Sequence, residues 1–171
     1  MRSDLHATMA PATGSATLWG MMLTGLLLAA CATDVRARRI PNALVLATLG
    51  AGLVRAALAT AAGPYAVGVQ AALLGALLGL AAWLPLYALG ALGAGDVKLF
   101  AAAAAWLGPQ GVLPASTYAA LAGGVLALGW LALGALRQSP PRQAPATRRD
   151  RRLPYGTAVA AGVLMVVWGS A

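Results

Sequence analysis

Apolar runs of about bilayer length recur along this 171-residue sequence, and they limit the folds open to the chain more than any other feature. Hydrophobic residues make up 60% of the sequence and charged residues only 9%. A soluble domain has no core large enough for that much apolar surface, and backbone in lipid must satisfy its own hydrogen bonds. The sequence therefore predicts an all-α, polytopic integral membrane protein. A flexible N-terminal tail is expected over residues 1–15, followed by a single transmembrane domain over residues 16–171.

The runs predict about six transmembrane helices, over residues 16–33, 41–60, 65–89, 97–109, 112–136 and 154–170. Arginines cluster at 36–39 and in a Pro-rich loop over 137–153, and basic loops stay on the cytoplasmic side. This pattern predicts that both chain termini lie outside and that residues 137–153 form a cytoplasmic loop against anionic lipid. It also explains the net charge of +8 without a nucleic-acid partner, because the arginines mostly flank apolar runs.

The stretch from Gly93 to Leu99 places one carboxylate and one ammonium between two apolar runs. Glycines at 93 and 95 free the backbone for positive φ, so the stretch predicts a sharp turn at the membrane edge. Asp96 follows where a helix N-cap is expected, and the next helix should begin at Asp96 or Val97.

The apolar run after Asp96 is short for a membrane span. It ends near Leu107, before Gly108-Pro109, so a helix over it covers about 17 Å of a hydrocarbon core about 30 Å thick. Either the helix continues past Pro109, or Asp96 lies below the bilayer surface in a water-filled depression.

Features elsewhere in the runs predict packing and membrane contacts. Gly75 and Gly79 form a GxxxG pair, which lets another helix approach closely. Arg55 is expected to extend its guanidinium to the outer surface. Three tryptophans are predicted to form an aromatic belt at the outer interface: Trp19, Trp106 and Trp168. The other two, Trp83 and Trp130, are predicted to lie deeper and to pack inside the protein.

Carboxylates are scarce, because glutamate is absent and the chain has only four aspartates. Two predicted spans separate Asp34 from Asp96, so both should lie on the same side of the membrane. An acidic side chain in a membrane segment is costly and marks a candidate functional site. Two adjacent carboxylates share one proton, so one can take a proton from water while the other donates to a scissile carbonyl. This is the chemistry of aspartic-type peptide hydrolysis.

Helix polarity suggests different resting states for the two acids. Asp34 ends a helix, where the dipole disfavours ionisation, and Asp96 begins one, where the dipole favours it. The hypothesis is that Asp96 is the resting base and Asp34 the resting acid. The arginines beside Asp34 oppose this assignment, and the pair can titrate as a unit.

Two other uses of the carboxylates remain open on this reasoning. They could form a proton relay in a small transporter, or pair with arginine and Lys98 to hold helices together in a secretion-assembly subunit. His6 and Cys31 are the sole histidine and cysteine, so the sequence offers no metal site, and we expect no cofactor. Cys31 is expected to be a small apolar residue within a helix.

Three motifs occur in a fixed order along the chain: Asp34 with the downstream Arg39-Ile40-Pro41-Asn42, then Gly93-Ala94-Gly95-Asp96-Val97-Lys98-Leu99, then Leu153-Pro154-Tyr155-Gly156. With these motifs, residues 16–171 resemble the type IV prepilin peptidases, which are membrane aspartic proteases of the Gly-x-Gly-Asp class. The resemblance implies that Asp34 and Asp96 are the catalytic aspartates. It also implies a set of neighbours that shape the site: Gly93, Gly95, Lys98, Pro41, Asn42, Pro154, Tyr155 and Gly156.

The resemblance further implies a substrate and a location. Family members cleave the leader of prepilin-like precursors, after a glycine and just before the pilin's hydrophobic helix, at the cytoplasmic face of the bacterial inner membrane. Longer members carry a cytoplasmic insertion with paired CxxC cysteines, which this sequence lacks, so the resemblance does not extend to N-methylation of the new pilin terminus. The short form is similar to the peptidases of tight-adherence pilus systems.

Overall fold

The computed structural model describes residues 13–37, 39–60, 68–136 and 155–169, and every regular element within these ranges is a helix. The helices are α1 (Thr13–Ala37), α2 (Asn42–Thr60), α3 (Val69–Ala88), α4 (Ala94–Leu136) and α5 (Gly156–Gly169). The all-α prediction is therefore confirmed for the described part of the chain. Each helix coincides with an apolar run, as backbone in lipid requires.

The helix bounds differ from the predicted spans in several places. Helices α1 to α4 are long and apolar enough to cross a membrane, whereas α5 has 14 residues and extends about 21 Å. α1 includes residues 13–15, for which the sequence predicts a flexible tail, and it carries Asp34 within its last turn. The remaining tail residues 1–12, the basic loop 137–153 and Pro154 lie outside the described residues.

α4 is broken at Gly108, where φ is 68° and ψ is −178°. Glycine adopts this positive φ without a steric penalty, and Pro109 has no N–H with which to continue the helix ladder. The break divides α4 into a first arm, residues 94–107, and a second arm, residues 109–136. The predicted end of a helix before Gly108-Pro109 is confirmed, and the alternative of a regular helix running through Pro109 is wrong.

The second arm folds back along the first. Trp83 of α3 stacks on Phe100 with ring centroids 4.3 Å apart, and its indole N–H donates to Ser116 Oγ at 3.1 Å. In one straight helix, positions 100 and 116 would be about 24 Å apart along the axis, too far for one indole to touch both. The described chain thus contains six helical segments when the two arms are counted separately.

α3 packs closely on the first arm through its GxxxG pair. Both glycines are buried. A methyl group added at Gly75 would lie 2.5 Å from the carbonyl oxygen of Ala104, and one added at Gly79 would lie 2.8 Å from the Ala104 Cβ. Only glycine allows this approach, so the predicted role of the pair is confirmed.

Trp106 fills the contact between α2 and the first arm. Its side chain is 5% exposed, its indole N–H donates to the Thr48 carbonyl at 2.8 Å, and a methyl group at Gly52 would lie 2.8 Å from the indole nitrogen. Trp106 is predicted to lie in an aromatic belt at the outer interface, and its ring is instead enclosed by protein. Arg55, whose guanidinium is expected to reach the outer surface, donates from Nη1 to the Trp106 carbonyl at 3.1 Å.

Candidate active site

Asp34 lies in the last turn of α1 and is 8% exposed. Its Oδ2 accepts a hydrogen bond from the backbone N–H of Gly156 at 3.1 Å. Gly156 is the first residue of α5, so this carboxylate is bound by an N–H that the helix itself leaves unpaired. A methyl group at position 156 would lie 2.9 Å from the same oxygen. Glycine at 156 therefore lets α5 begin directly against Asp34.

Asp96 is the third residue of α4, not its N-cap, because the helix begins at Ala94. Its Oδ2 accepts the backbone N–H of Gly93 at 3.1 Å, which is the side-chain half of a capping box. Asp96 is 8% exposed. The helix starts two residues earlier than expected. Asp96 still lies in the first turn, where the helix dipole favours the ionised form of its carboxylate.

The turn before Asp96 depends on a different glycine from the two predicted. Gly90 has φ of 75°, and the N–H groups of Gly90 and Ala91 bond back to Tyr87 and Leu86 in the arrangement that ends many helices. Gly95 lies inside α4 instead, where a methyl group would be 3.2 Å from the Ile40 Cβ. The role predicted for Gly93 and Gly95 in this turn is wrong: one caps α4, and the other makes room for the chain between α1 and α2.

The two carboxylates lie at the same end of the bundle. Gly95, the residue before Asp96, lies against Ile40, which follows the end of α1, and the last turn of α1 carries Asp34. Tyr155, the residue before Gly156, packs its ring edge-to-face on Trp83 with centroids 6.1 Å apart.

Three other residues that the sequence assigns to the site have exposed side chains. Lys98 is exposed and lines an apolar groove of about 280 Å³ between α2, α3 and the first arm. Two positions along a helix correspond to about 200° of rotation, so Lys98 and Asp96 project from different faces. Pro41 and Asn42 are exposed and begin α2, with the Pro41 carbonyl accepting the Leu44 N–H at 3.0 Å.

Sequence reasoning missed three residues that contact the site. Cys31, one turn before Asp34, donates its thiol to the Gly156 carbonyl at 3.5 Å. Ile40 is enclosed against Gly95, and its place inside a motif was an available signal. Gly123 lies against the Tyr155 phenol in the middle of an apolar run, where nothing local distinguishes it from other glycines. The contacts of all three are formed only in the folded bundle.

The site contains two carboxylates, each held by a backbone donor. Each aspartate has one oxygen oriented by an N–H at a helix N-terminus, and the surroundings are apolar. Within the ranges that the structure describes, no group of three or more His, Cys, Asp or Glu side chains is arranged to hold a metal ion. Carboxylates held in this way can act as a base or an acid toward water.

Comparison with known proteins identifies the family. A family model of the type IV leader peptidase family matches residues 21–128, which is more than half of the chain and contains both Asp34 and Asp96. Searches of curated proteins and of solved structures found no match. The apolar helices of this chain are those of a membrane protein, and the matched family is one of peptidases. The chain belongs to the type IV leader peptidase family.

Proposed function

We propose that this protein removes the leader of type IV pilin-like precursors, using a water molecule activated between Asp34 and Asp96. The observation that carries the proposal is that both carboxylates lie at one end of the bundle, each bound by a backbone N–H at the start of a helix. Family membership supports leader peptidase activity in general, and the apolar helices support a site in a membrane.

In the proposed reaction the two carboxylates share one proton. The ionised carboxylate takes a proton from water as the water oxygen bonds to the scissile carbonyl carbon, and the protonated carboxyl donates to the carbonyl oxygen. Collapse of the resulting diol breaks the C–N bond. The leaving nitrogen takes a proton from one carboxyl, and the diol returns one to the other, so the pair again holds a single proton.

The acid and the base are not distinguished by the polarity of α1 alone. Asp34 lies at the C-terminal end of α1, but it also accepts the first N–H of α5, whose dipole favours the ionised form. Asp96 accepts Gly93 N–H at the start of α4 in the same way. The proposal is therefore that the pair titrates as a unit, with the proton placed by the arriving substrate.

The geometry supports a site below the membrane surface. The first arm has 14 residues before Gly108 and α5 has 14, so each extends about 21 Å against a core of about 30 Å. The first arm carries Asp96 in its first turn, and the first residue of α5 binds Asp34. We propose six spans with both termini outside, in a bacterial inner membrane, with the site in a depression open to the cytoplasm. A precursor's apolar helix can then stay in lipid while its polar leader enters the depression.

The test is Asp34→Asn and Asp96→Asn, each assayed by co-expression with candidate precursors and N-terminal analysis of the product. Each change is nearly isosteric but removes the titratable carboxylate, so cleavage should fall at least about 10³-fold while the protein still inserts. Asp4→Asn, in the predicted tail, is the matched control and should cleave as the parent does. Retained cleavage by either site variant would refute the dyad and favour a proton-relay or helix-pairing role for the carboxylates.

A further inference from the structure

Trp83 lies outside the three sequence motifs, yet its side chain joins three other helical segments. It is 3% exposed, and its indole stacks on Phe100 of the first arm with ring centroids 4.3 Å apart. The same indole packs edge-to-face on Tyr155, beside the start of α5, and donates its N–H to Ser116 of the second arm at 3.1 Å. One side chain of α3 therefore contacts both arms of α4 and the beginning of α5.

Two of these contacts lie next to the carboxylates. Phe100 follows Asp96 by four positions, which places both on the same face of the first arm, one turn apart. Tyr155 immediately precedes Gly156, whose backbone N–H binds Asp34 Oδ2. The indole thus lies between a ring on the segment that carries one carboxylate and a ring beside the N–H that holds the other.

The space around the indole is closely packed. The side chain of Phe100 is fully buried, and a methyl group added at Gly79, one turn before Trp83 on α3, would lie 3.4 Å from its ring. Because protein interiors are filled to high density, a smaller side chain at position 83 would leave a cavity into which neighbouring groups shift. The neighbouring rings are those of Phe100 and Tyr155, and a shift of either would move its segment with it.

We propose that Trp83 is a positioning residue, which sets where Asp34 and Asp96 lie relative to each other in addition to packing α3 against both arms. Proton transfer depends on the placement of the reacting groups, and a displacement of about 1 Å can cost about 10²-fold in rate. The effect on cleavage rests on the proposed function, whereas the effect on the hydrogen bonds of the two carboxylates does not.

The kinetic test compares Trp83→Leu and Trp83→Phe on a cleaved precursor. Leucine stays apolar but removes the stacked ring and the N–H donor, so kcat should fall about 10- to 100-fold with little change in KM. Phenylalanine keeps a ring against Phe100 and should lower kcat only about 3- to 10-fold. This order, in which the conservative variant recovers most of the rate, is expected if the ring positions the carboxylates.

Trp106 provides a matched control at a distance from the carboxylates. It is 5% exposed, packs edge-to-face on Trp19 with centroids 6.2 Å apart and donates its indole N–H to the Thr48 carbonyl. It follows Asp96 by ten positions, or about 15 Å along the first arm. Trp106→Leu and Trp106→Phe should therefore lower the denaturant midpoint as the Trp83 variants do, while kcat per folded molecule stays within about twofold of the parent.

A second measurement needs no substrate. Hydrogen-exchange mass spectrometry in detergent reports the backbone N–H groups of Gly156 and Gly93, which bind the two carboxylates. Trp83→Leu should loosen both hydrogen bonds, because it frees the segments that hold them. Exchange at these two amides should then be at least about threefold faster in Trp83→Leu than in Trp106→Leu, which corrects for a general loss of stability.

The outcomes separate the two proposals. A parent protein that cleaves no precursor, together with faster exchange in Trp83→Leu than in Trp106→Leu, would overturn the proposed function and leave the positioning role standing. Equal kcat values in the matched Trp83 and Trp106 variants, or equal exchange at the two amides, would overturn the positioning role. If Trp83→Leu does not fold, the comparison of Trp83→Phe with Trp106→Phe decides by both measurements.

Discussion

The two ends of the helical bundle bind charged side chains to the backbone in opposite ways. At the aspartate end, Asp34 and Asp96 accept N–H groups at the starts of α5 and α4. At the arginine end, the Arg55 guanidinium donates to the Trp106 carbonyl, just before the first arm stops at Gly108. Both arrangements match the helix dipole, since anions meet N-termini and a cation meets a C-terminus.

The difference lies in the number and sign of the charges. Among the described residues, the arginine end has one cation, which donates to a carbonyl in the last turn before the break at Gly108, and this contact is attractive. The aspartate end has two acids of like charge, which under the proposed function share one proton. The comparison predicts that changes at the arginine end alter stability and that changes at the aspartate end alter cleavage.

The largest effect expected, beyond removal of a carboxylate, comes from Gly156→Ala. The added methyl group would meet Oδ2 of Asp34 at 2.9 Å, and this oxygen terminates a side chain that can swing away. The carboxylate should move while the fold survives, and cleavage should fall about 10²-fold, as small displacements of reacting groups do. Gly169→Ala on the same helix meets nothing within 4 Å and is the control. Equal cleavage rates in the two variants would show that Asp34 does not need its present position.

A medium effect, on stability instead of rate, is expected from Arg55→Met. The change leaves the Trp106 carbonyl without its donor and should lower the free energy of unfolding by about 1–3 kcal/mol. Cleavage per folded molecule should not change, because Arg55 belongs to the arginine end. Denaturant unfolding in detergent, paired with a cleavage assay below the transition, measures both. If Arg55→Met lost cleavage at unchanged stability, the two ends of the bundle would not differ in the way described.

The smallest effect is expected from Cys31→Ser. A thiol is a weak donor, and its 3.5 Å contact to the Gly156 carbonyl can be replaced by a hydroxyl. Cleavage should stay within about threefold of the parent. A loss as large as that predicted for Gly156→Ala would instead assign the thiol a part in the reaction.

Sequence reasoning reached the features that depend on local pattern. Apolar runs predicted the helices, the break before Pro109 followed from Gly-Pro chemistry, and two intervening spans predicted that Asp34 and Asp96 lie at the same end of the bundle. It failed where the partner lies far along the chain. Among 21 glycines, nothing local separates Gly123, which faces a phenol, from Gly124, which faces nothing. Trp106 likewise reads as an interfacial residue until α2 supplies Thr48 as its acceptor.

The fold-back at Gly108 has a consequence for biogenesis. The first arm carries Asp96 and Lys98 and is rich in alanine, so it is too short and too weakly apolar to insert into a bilayer as an independent segment. We expect it to enter as a hairpin with the second arm and to settle only when α3 supplies the close contact at Gly75 and Gly79. A nascent chain should therefore acquire its Asp96 site late in assembly, after the surrounding helices are in place.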